Sequence, residues 1–540
     1  HGLWKENFDY FAGTNIIGGL WLLIPDKPLL IWSRLGYIFI QLLTAVYTYK
    51  ILLLYFKPLR VFTVCSVISI SLSFWQYYYT INYDNLPLML LLISTYLVLR
   101  ENRTPSKNNT LIFISAGVLI SICIFCKITY LPALLLPVTS IYASKNSNIK
   151  ELNKKKLINY FYGVITGTGL LVLFMVLSGG LSTYIQYFYK AAEEFLNHKN
   201  ISEQFNLTRD HSFSTLYFIY KGSYLKIVNI SILNLLMTFI FGFIYTRVGI
   251  NKFLKVMFLI ISGWFYYYQI FEPSANHGII SFVITLLIIR LITSRPEDLK
   301  KFSEPVIAAV IIFMISFFGS DLGISTGFRS GSVVFLLSIA ILLVYDAKST
   351  FGKFKQSYRF LFYLSLILFS IFYIRDDYRH YQDLKFEFMT AGFESPQLKG
   401  IKSGKHRVEV VDSLLTYLNT IPYLEYKKVF YSKHSPMLYY LTGVKYSLNS
   451  PWDTLNDLEE ISEDFKLKPP DIFVLPQGSH RDYNWPDCDA EWAAKDGGEK
   501  TAQRYYGYYD SFLKENNYIE VYKNSFYTVY NLVKKGIENE

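Results

Sequence analysis

A chain of 540 residues that is 52% hydrophobic and 18% aromatic is too apolar to be disordered or fibrous and too long for a single hydrophobic core. Its formal charge of +11 invites a nucleic-acid reading, but the lysines and arginines lie in short loops between apolar runs, where they act as orientation signals instead. Four cysteines, with Cys65, Cys123 and Cys126 inside apolar runs and Cys488 alone in the polar part, exclude a disulfide framework, and the Cys123/Cys126 spacing lacks the second ligand pair of a metal site.

The chain opens at His1 without a methionine, a signal peptide or a spanning run ahead of an amphipathic stretch that ends at Pro25-Asp26-Lys27, so a first spanning helix is expected upstream. Apolar runs follow at 28–56, 61–80, 86–99, 110–126, 128–143, 158–178, 226–246, 256–271, 279–293, 305–319, 331–345 and 358–374. In lipid each segment must satisfy its own backbone groups, so these runs are predicted as helices despite their Tyr, Ile and Val content. The fold class is a polytopic α-helical membrane protein with about 12 spans.

The connecting loops alternate in charge. One set carries Lys57 and Arg60; Arg100, Arg103 and Lys107; Lys145, Lys150 and Lys154 to Lys156; Arg247, Lys252 and Lys255; Arg295, Lys300 and Lys301; and Lys348, Lys353, Lys355 and Arg359. The other set, which includes Asn82 to Asn85, Glu272 to Gly278 and Gly319 to Ser330, is poor in positive charge. By the positive-inside rule the basic loops are cytoplasmic, which places loops 1–27 and 179–225 and everything after residue 375 outside.

Beyond Ile374 the apolar runs stop. Residues 376–540 are expected to form a soluble α/β domain, with helices at 408–418, 436–441 and 502–516 and strands at 428–431, 471–475, 519–522 and 526–533. It has no GxGxxG, P-loop, GxSxG or HExxH pattern, so no chemistry of its own is assigned to it. The polar stretch Arg481 to Glu499, with Trp485 and Trp492, is expected as an exposed loop.

Ionisable residues at the outer mouths of the spans are the informative ones, because a charge at membrane depth is costly and usually lines a cavity. They are Asp9, Arg34, Asp84 in Asn82-Tyr83-Asp84-Asn85-Leu86-Pro87, Lys127, Glu272, His277 and Arg329. Each has a plainer reading too. Asp84 can cap the helix that begins near Leu86, and Lys127 can snorkel to the interface.

Their arrangement resembles a known superfamily. Phe8-Asp9-Tyr10-Phe11-Ala12-Gly13 leads into a span with Ser33-Arg34-Leu35-Gly36, and Tyr83-Asp84-Asn85-Leu86 opens the span closed by Tyr96-Leu97-Val98-Leu99-Arg100. Gly117-Val118-Leu119 then runs to Lys127-Ile128-Thr129, and an α/β tail ends the chain. This pattern is similar to that of the GT-C glycosyltransferases, the class that includes protein O-mannosyltransferases and lipid A aminoarabinose transferases.

The resemblance implies transfer of a sugar from a polyprenyl-phosphate donor to an envelope lipid, glycan or protein, at the outer face of a bacterial cytoplasmic membrane, with the tail periplasmic. It implies Asp9 and Asp84 as catalytic carboxylates, with Lys127, Arg34 and Arg329 toward the donor phosphate and Glu272 and His277 as further cavity residues. Asp9 matches only the distal part of the family's first loop, whose leading acidic pair would precede His1. A divalent cation on Asp9 and Asp84 is compatible with the pattern, and a nucleotide is not required. The partners implied are membrane lipids, the lipid-linked sugar and an envelope acceptor. The rival readings are a lipid-linked glycan flippase or transporter, for which inverted repeats would be expected, and an O-antigen polymerase or ligase.

Overall fold

The computed structural model describes residues 12–22, 29–73, 84–104, 109–136, 150–178, 213–247, 251–271, 275–293, 296–317, 330–345, 355–375, 389–432, 436–445, 458–477 and 499–533, with a few single positions between them. The chain divides into two compact units, with His1–Ile24, Trp32–Glu193 and Leu216–Asp376 in the first and Pro25–Ile31, Glu194–Thr215 and Asp377–Glu540 in the second.

The first unit is helical. Its elements are α1 (Ala12–Leu22), α2 (Leu29–Leu53), α3 (Pro58–Ser73), α4 (Asn85–Arg103), α5 (Asn109–Cys126) and α6 (Lys150–Leu177). They continue as α7 (Phe213–Arg247), α8 (Lys252–Tyr266), α9 (Ala275–Thr293), α10 (Pro296–Phe317), α11 (Ser332–Tyr345) and α12 (Lys355–Arg375). Among the described residues six helices are long and apolar enough to cross a membrane, and Pro58–Leu72, Phe302–Ser316, Ser332–Tyr345 and Gln356–Ile371 are shorter apolar helices.

The way α7 is buried argues for a lipid surround. Ile232, Leu236, Phe239, Ile240 and Phe243 are exposed, while Ser231, Asn234 and Thr238 are buried. A water-soluble helix shows the reverse, because its apolar stripe faces the core. Polar groups turned inward and large apolar ones outward suit a hydrocarbon solvent. By this pattern and by helix length, the chain is a membrane protein.

One expected span differs in form. Where 128–143 is described it is a 3₁₀ helix, Ile128–Leu134, with Pro132 inside it; residues 137–149 lie outside the described set. Pro132 lacks the N–H that an α-helix would bond to the carbonyl four residues earlier.

The helix ends sort into two sets. At one end, Arg103 Nη1 donates to the Leu54 carbonyl at 2.6 Å, Tyr55 Oη donates to Glu304 Oε2 at 3.0 Å and Lys156 Nζ donates to Asn102 Oδ1 at 3.1 Å. The Arg60 guanidinium lies 4.0 Å from the Tyr345 ring centroid at the same end. The residues that bound the basic loops therefore converge. Asp84 and Lys127 sit at the opposite ends of α4 and α5, about 28 Å away along α4.

The tightest helix pair is α5 with α6. A Cβ on Gly117 would run into the Tyr160 carbonyl oxygen and lie 2.7 Å from the Val164 nitrogen. On Gly163 it would collide with the Ile114 carbonyl, and on Gly167 it would lie 2.9 Å from Ser121 Cβ. The Gly163-x-x-x-Gly167 step thus lets two backbones touch, which is how helices gain packing energy where lipid gives no hydrophobic drive. Ser121 and Thr168 hydroxyls, 2.9 Å apart, and the Ser94 hydroxyl on the Ala116 carbonyl at 3.0 Å extend the seam across α4, α5 and α6.

The second unit contains a small sheet. Its elements are β1 (Ala391–Gly392), β2 (Lys402–Ser403), α13 (Lys405–Asn419), β3 (Val429–Tyr431), α14 (Pro436–Thr442), α15 (Leu458–Leu467), β4 (Ile472–Pro476), α16 (Glu499–Glu515), β5 (Tyr518–Lys523) and β6 (Tyr527–Leu532). The main sheet runs β3-β4-β6-β5, with β3 parallel to β4 and the other pairings antiparallel. Alternate residues serve two cores. Val429, Tyr431, Ile472 and Val474 join Leu414 and Leu418 of α13, while Phe430, Phe473 and Leu475 join Ile461 and Phe465 of α15 and Tyr509 of α16. Helices therefore cover both faces, which explains why the β4 sequence reads as an unbroken apolar run. Along the outer strand β5, the register with β6 shifts between Glu520 and Tyr522. All but the last residue of the Arg481 to Glu499 stretch lie outside the described residues.

The α5/α6 contact yields a direct prediction. Gly163→Ala should lower the thermal stability of the detergent-purified protein by the equivalent of about 1–3 kcal/mol, the usual cost of overpacking. Gly169→Ala, whose Cβ meets nothing within 4 Å, should leave it unchanged. Equal melting temperatures for the two variants would refute the close contact.

Candidate functional site

At the start of α4, Asp84 occupies the N-cap position with φ −99° and ψ −42°, and its side chain makes no capping hydrogen bond. The capping role is therefore not the one it plays. Pro87 stands in the first turn, where a missing N–H costs nothing because that donor would have no partner within the helix.

Lys127 lies where α5 ends. Its N–H still donates to the Cys123 carbonyl at 3.1 Å, but its own backbone is extended, with φ −158° and ψ 111°, and its carbonyl accepts from Tyr130 N–H at 2.9 Å in the following 3₁₀ turn. The helix thus stops at Lys127 and resumes in a tighter form. Non-helical backbone near membrane depth is tolerated where protein surrounds it, and here Lys127, Tyr130 and Ala133 are all buried.

These two termini meet. Lys127 Nζ donates to Asp84 Oδ1 at 2.7 Å, with the two side chains 9% and 8% exposed. A lysine that merely snorkels would carry its ammonium to water. Here the charge is held inside, where desolvation makes an ion pair a poor source of stability and its retention a pointer to function.

The surroundings are built from three further contacts. The Cys123 thiol donates to the Pro87 carbonyl at 3.3 Å, binding α5 to the first turn of α4. The Thr14 hydroxyl donates to the Cys126 carbonyl at 3.3 Å, so α1 satisfies one of the carbonyls that the end of α5 leaves open. Tyr130 is fully buried beside the pair, and its hydroxyl has no hydrogen-bond partner among the described residues. In turn α1 is fixed to α2 by Trp21 and Trp32, whose indole N–H groups each donate to the other's carbonyl at 2.9 and 2.8 Å, with the rings stacked at 5.0 Å.

The other expected residues are not gathered here. Arg34 is exposed on α2 and makes no hydrogen bond or ion pair among the described residues. His277, at the start of α9, is half-buried with Lys226 as a charged neighbour. Asp9, Glu272 and Arg329 lie outside the described residues. Cys123 and Cys126 are free, buried thiols.

Asp84 as described does not fit a divalent cation. Its Oδ1 already faces an ammonium at 2.7 Å, and no group of three or more His, Cys, Asp or Glu side chains surrounds it among the described residues. No metal-dependent step is drawn from it. The chemistry the pair offers is a carboxylate in direct hydrogen-bond contact with a lysine amine, at a helix junction where Tyr130 is also buried.

Sequence reading missed Tyr130 and Thr14. Tyr130 was legible only as one more aromatic, although Pro132 two residues later marks the helix break that aims it inward. Thr14 carries no signal at all without the position of α1.

Lys127→Met should destabilise the protein by about 3–5 kcal/mol, because it strands a buried carboxylate, and the double variant Asp84→Asn/Lys127→Met should recover most of that loss. Thermal unfolding of the three proteins in one detergent tests the coupling; additive losses would place the two side chains in water instead.

A scan of protein-family models finds no match for this chain, and searches of curated proteins and of solved structures find no significant similarity.

Proposed function

We propose that this chain is an integral-membrane glycosyltransferase of GT-C type, which moves a sugar from a polyprenyl-phosphate donor to a cell-envelope acceptor on the extracytoplasmic face. The observation that carries the reading is the buried Asp84–Lys127 pair at the end of the helices remote from the basic loops. On the positive-inside rule that end faces away from the cytoplasm, in a bacterial cytoplasmic membrane, and the second unit is read as a periplasmic domain.

The pair suits the reaction in charge. Asp84 takes the proton of an acceptor hydroxyl or amine as that atom attacks the anomeric carbon. The bond between that carbon and the phosphate oxygen breaks, and its electrons leave with the lipid phosphate. As Asp84 becomes neutral it releases Lys127, whose ammonium follows the negative charge to the departing phosphate. One proton transfer thus moves the countercharge to where it is next required. The donor lipid stays in the bilayer throughout, so no nucleotide enters.

Single variants of the pair confound chemistry with folding, so the decisive protein is the double one. Asp84→Asn/Lys127→Met should melt close to the parent yet transfer sugar from polyprenyl-phosphate donors in membrane vesicles at least about a hundredfold more slowly, the scale of acid-base catalysis. Parent-level transfer by the double variant would return the pair to a structural role. Movement of lipid-linked sugar between leaflets by the parent, without transfer, would favour the flippase reading.

A further inference from the structure

The second unit contains a cavity of about 300 Å³ that the proposed reaction does not use. One wall is the stripe Asp412, Leu415, Thr416 and Asn419, at the i, i+3, i+4, i+7 positions that share a face of α13. Glu394, Ser395, Pro396 and Gln397 from the segment after β1 and Leu441 of α14 complete the lining, which is open to the surface at the exposed Glu394, Pro396, Thr416 and Asn419.

We propose that this cavity binds a single hydroxyl-rich sugar ring. Its size lies at the low end of ligand pockets, which suits one ring better than an extended chain. Two carboxylates and no lysine or arginine line it, which disfavours phosphate and other anions. The polar lining combines the two carboxylates with the hydroxyls of Ser395 and Thr416 and the amides of Gln397 and Asn419, acceptors and donors together, matched to a ligand whose O–H groups both donate and accept, while Pro396, Leu415 and Leu441 offer an apolar surface for the C–H face of a pyranose.

Asp412 supplies the second observation. Its Oδ2 accepts the Glu394 N–H at 2.9 Å, while its Oδ1 is buried with no hydrogen-bond partner among the described residues. A charged acceptor withdrawn from water and left unmatched is costly, and a ligand hydroxyl would satisfy it. The Ser395 hydroxyl donates to Gln397 Oε1 at 2.9 Å, which holds that amide in place at the rim. An organic cation is less well served, because no aromatic ring lines the cavity. A metal lacks ligands, since no group of three or more His, Cys, Asp or Glu exists among the described residues.

In a glycan-transferring enzyme this ring would belong to the acceptor or product, a role that rests on the function proposed above; binding itself does not. The test therefore omits the polyprenyl donor. The full chain, in phosphatidylcholine nanodiscs free of sugar-based detergent, is examined by saturation-transfer NMR with methyl glycosides of a hexose, an N-acetylhexosamine and a pentose. At least one should receive saturation, Thr416→Trp should abolish it by filling the cavity, and Asp412→Asn should weaken binding roughly tenfold or more while still accepting the Glu394 N–H. The proposal is overturned by silence from all three glycosides, by signals unchanged in both variants, or by full displacement with putrescine or calcium, which would make the site cationic. Loss of transfer in the Asp84/Lys127 double variant with glycoside binding retained would leave the two conclusions separate.

Discussion

Everything at the candidate site depends on how closely α5 can approach α6. Lipid gives no hydrophobic reward for bringing two helices together, so the contact must come from packing of backbone on backbone, and only glycine permits it. Gly117, Gly163 and Gly167 supply that approach, and the Ser121 and Thr168 hydroxyls lock it. Because α5 is pinned along its length, its last turn is pinned too. Lys127 is therefore delivered to one place, and Asp84 is delivered to the same place by Ser94 and Cys123, which bind α4 to α5 at mid-length and at its first turn. The ion pair is thus a product of helix packing and not of local sequence, since 43 residues separate its members.

The site is built at helix ends for a physical reason. A helix interior has no free backbone groups and no room for a charge in hydrocarbon, whereas a terminus already has unsatisfied donors and acceptors that must be matched by something. The break after Cys126 makes such a terminus inside the protein. Thr14 closes part of it, and the Trp21/Trp32 exchange of hydrogen bonds holds the helix that carries Thr14.

How much of this was written in the sequence varies with the range of the interaction. The helices of the first unit follow from apolar runs because lipid leaves the backbone no alternative, and the loop charges were enough to put Asp84 and Lys127 at the same end of the bundle. That the two touch was not legible, since nothing in either segment names the other. Pro132 could have signalled the 3₁₀ turn in place of a span starting at Ile128, but a continuous apolar run outweighed one proline. The Gly163/Gly167 spacing was passed over in the sequence, because its meaning as a packing motif depends on the α5 face that meets it. In the second unit the strands were visible from β-branched and aromatic clusters, while α15 was overlooked because its charges mask the buried pair Ile461 and Phe465.

The irregular register at Glu520/Tyr522 bears on a hazard that any chain of this composition meets before it is folded. Strand β5 is the outermost described strand beside β6, with Ile519 and Val521 exposed, and an even strand of that kind would template pairing with a second copy. A bulge twists such an edge out of register with any straight neighbour, and Glu520 and Lys523 add charge to it. A local flaw in the ladder thus makes this edge a poor template for pairing with a second copy.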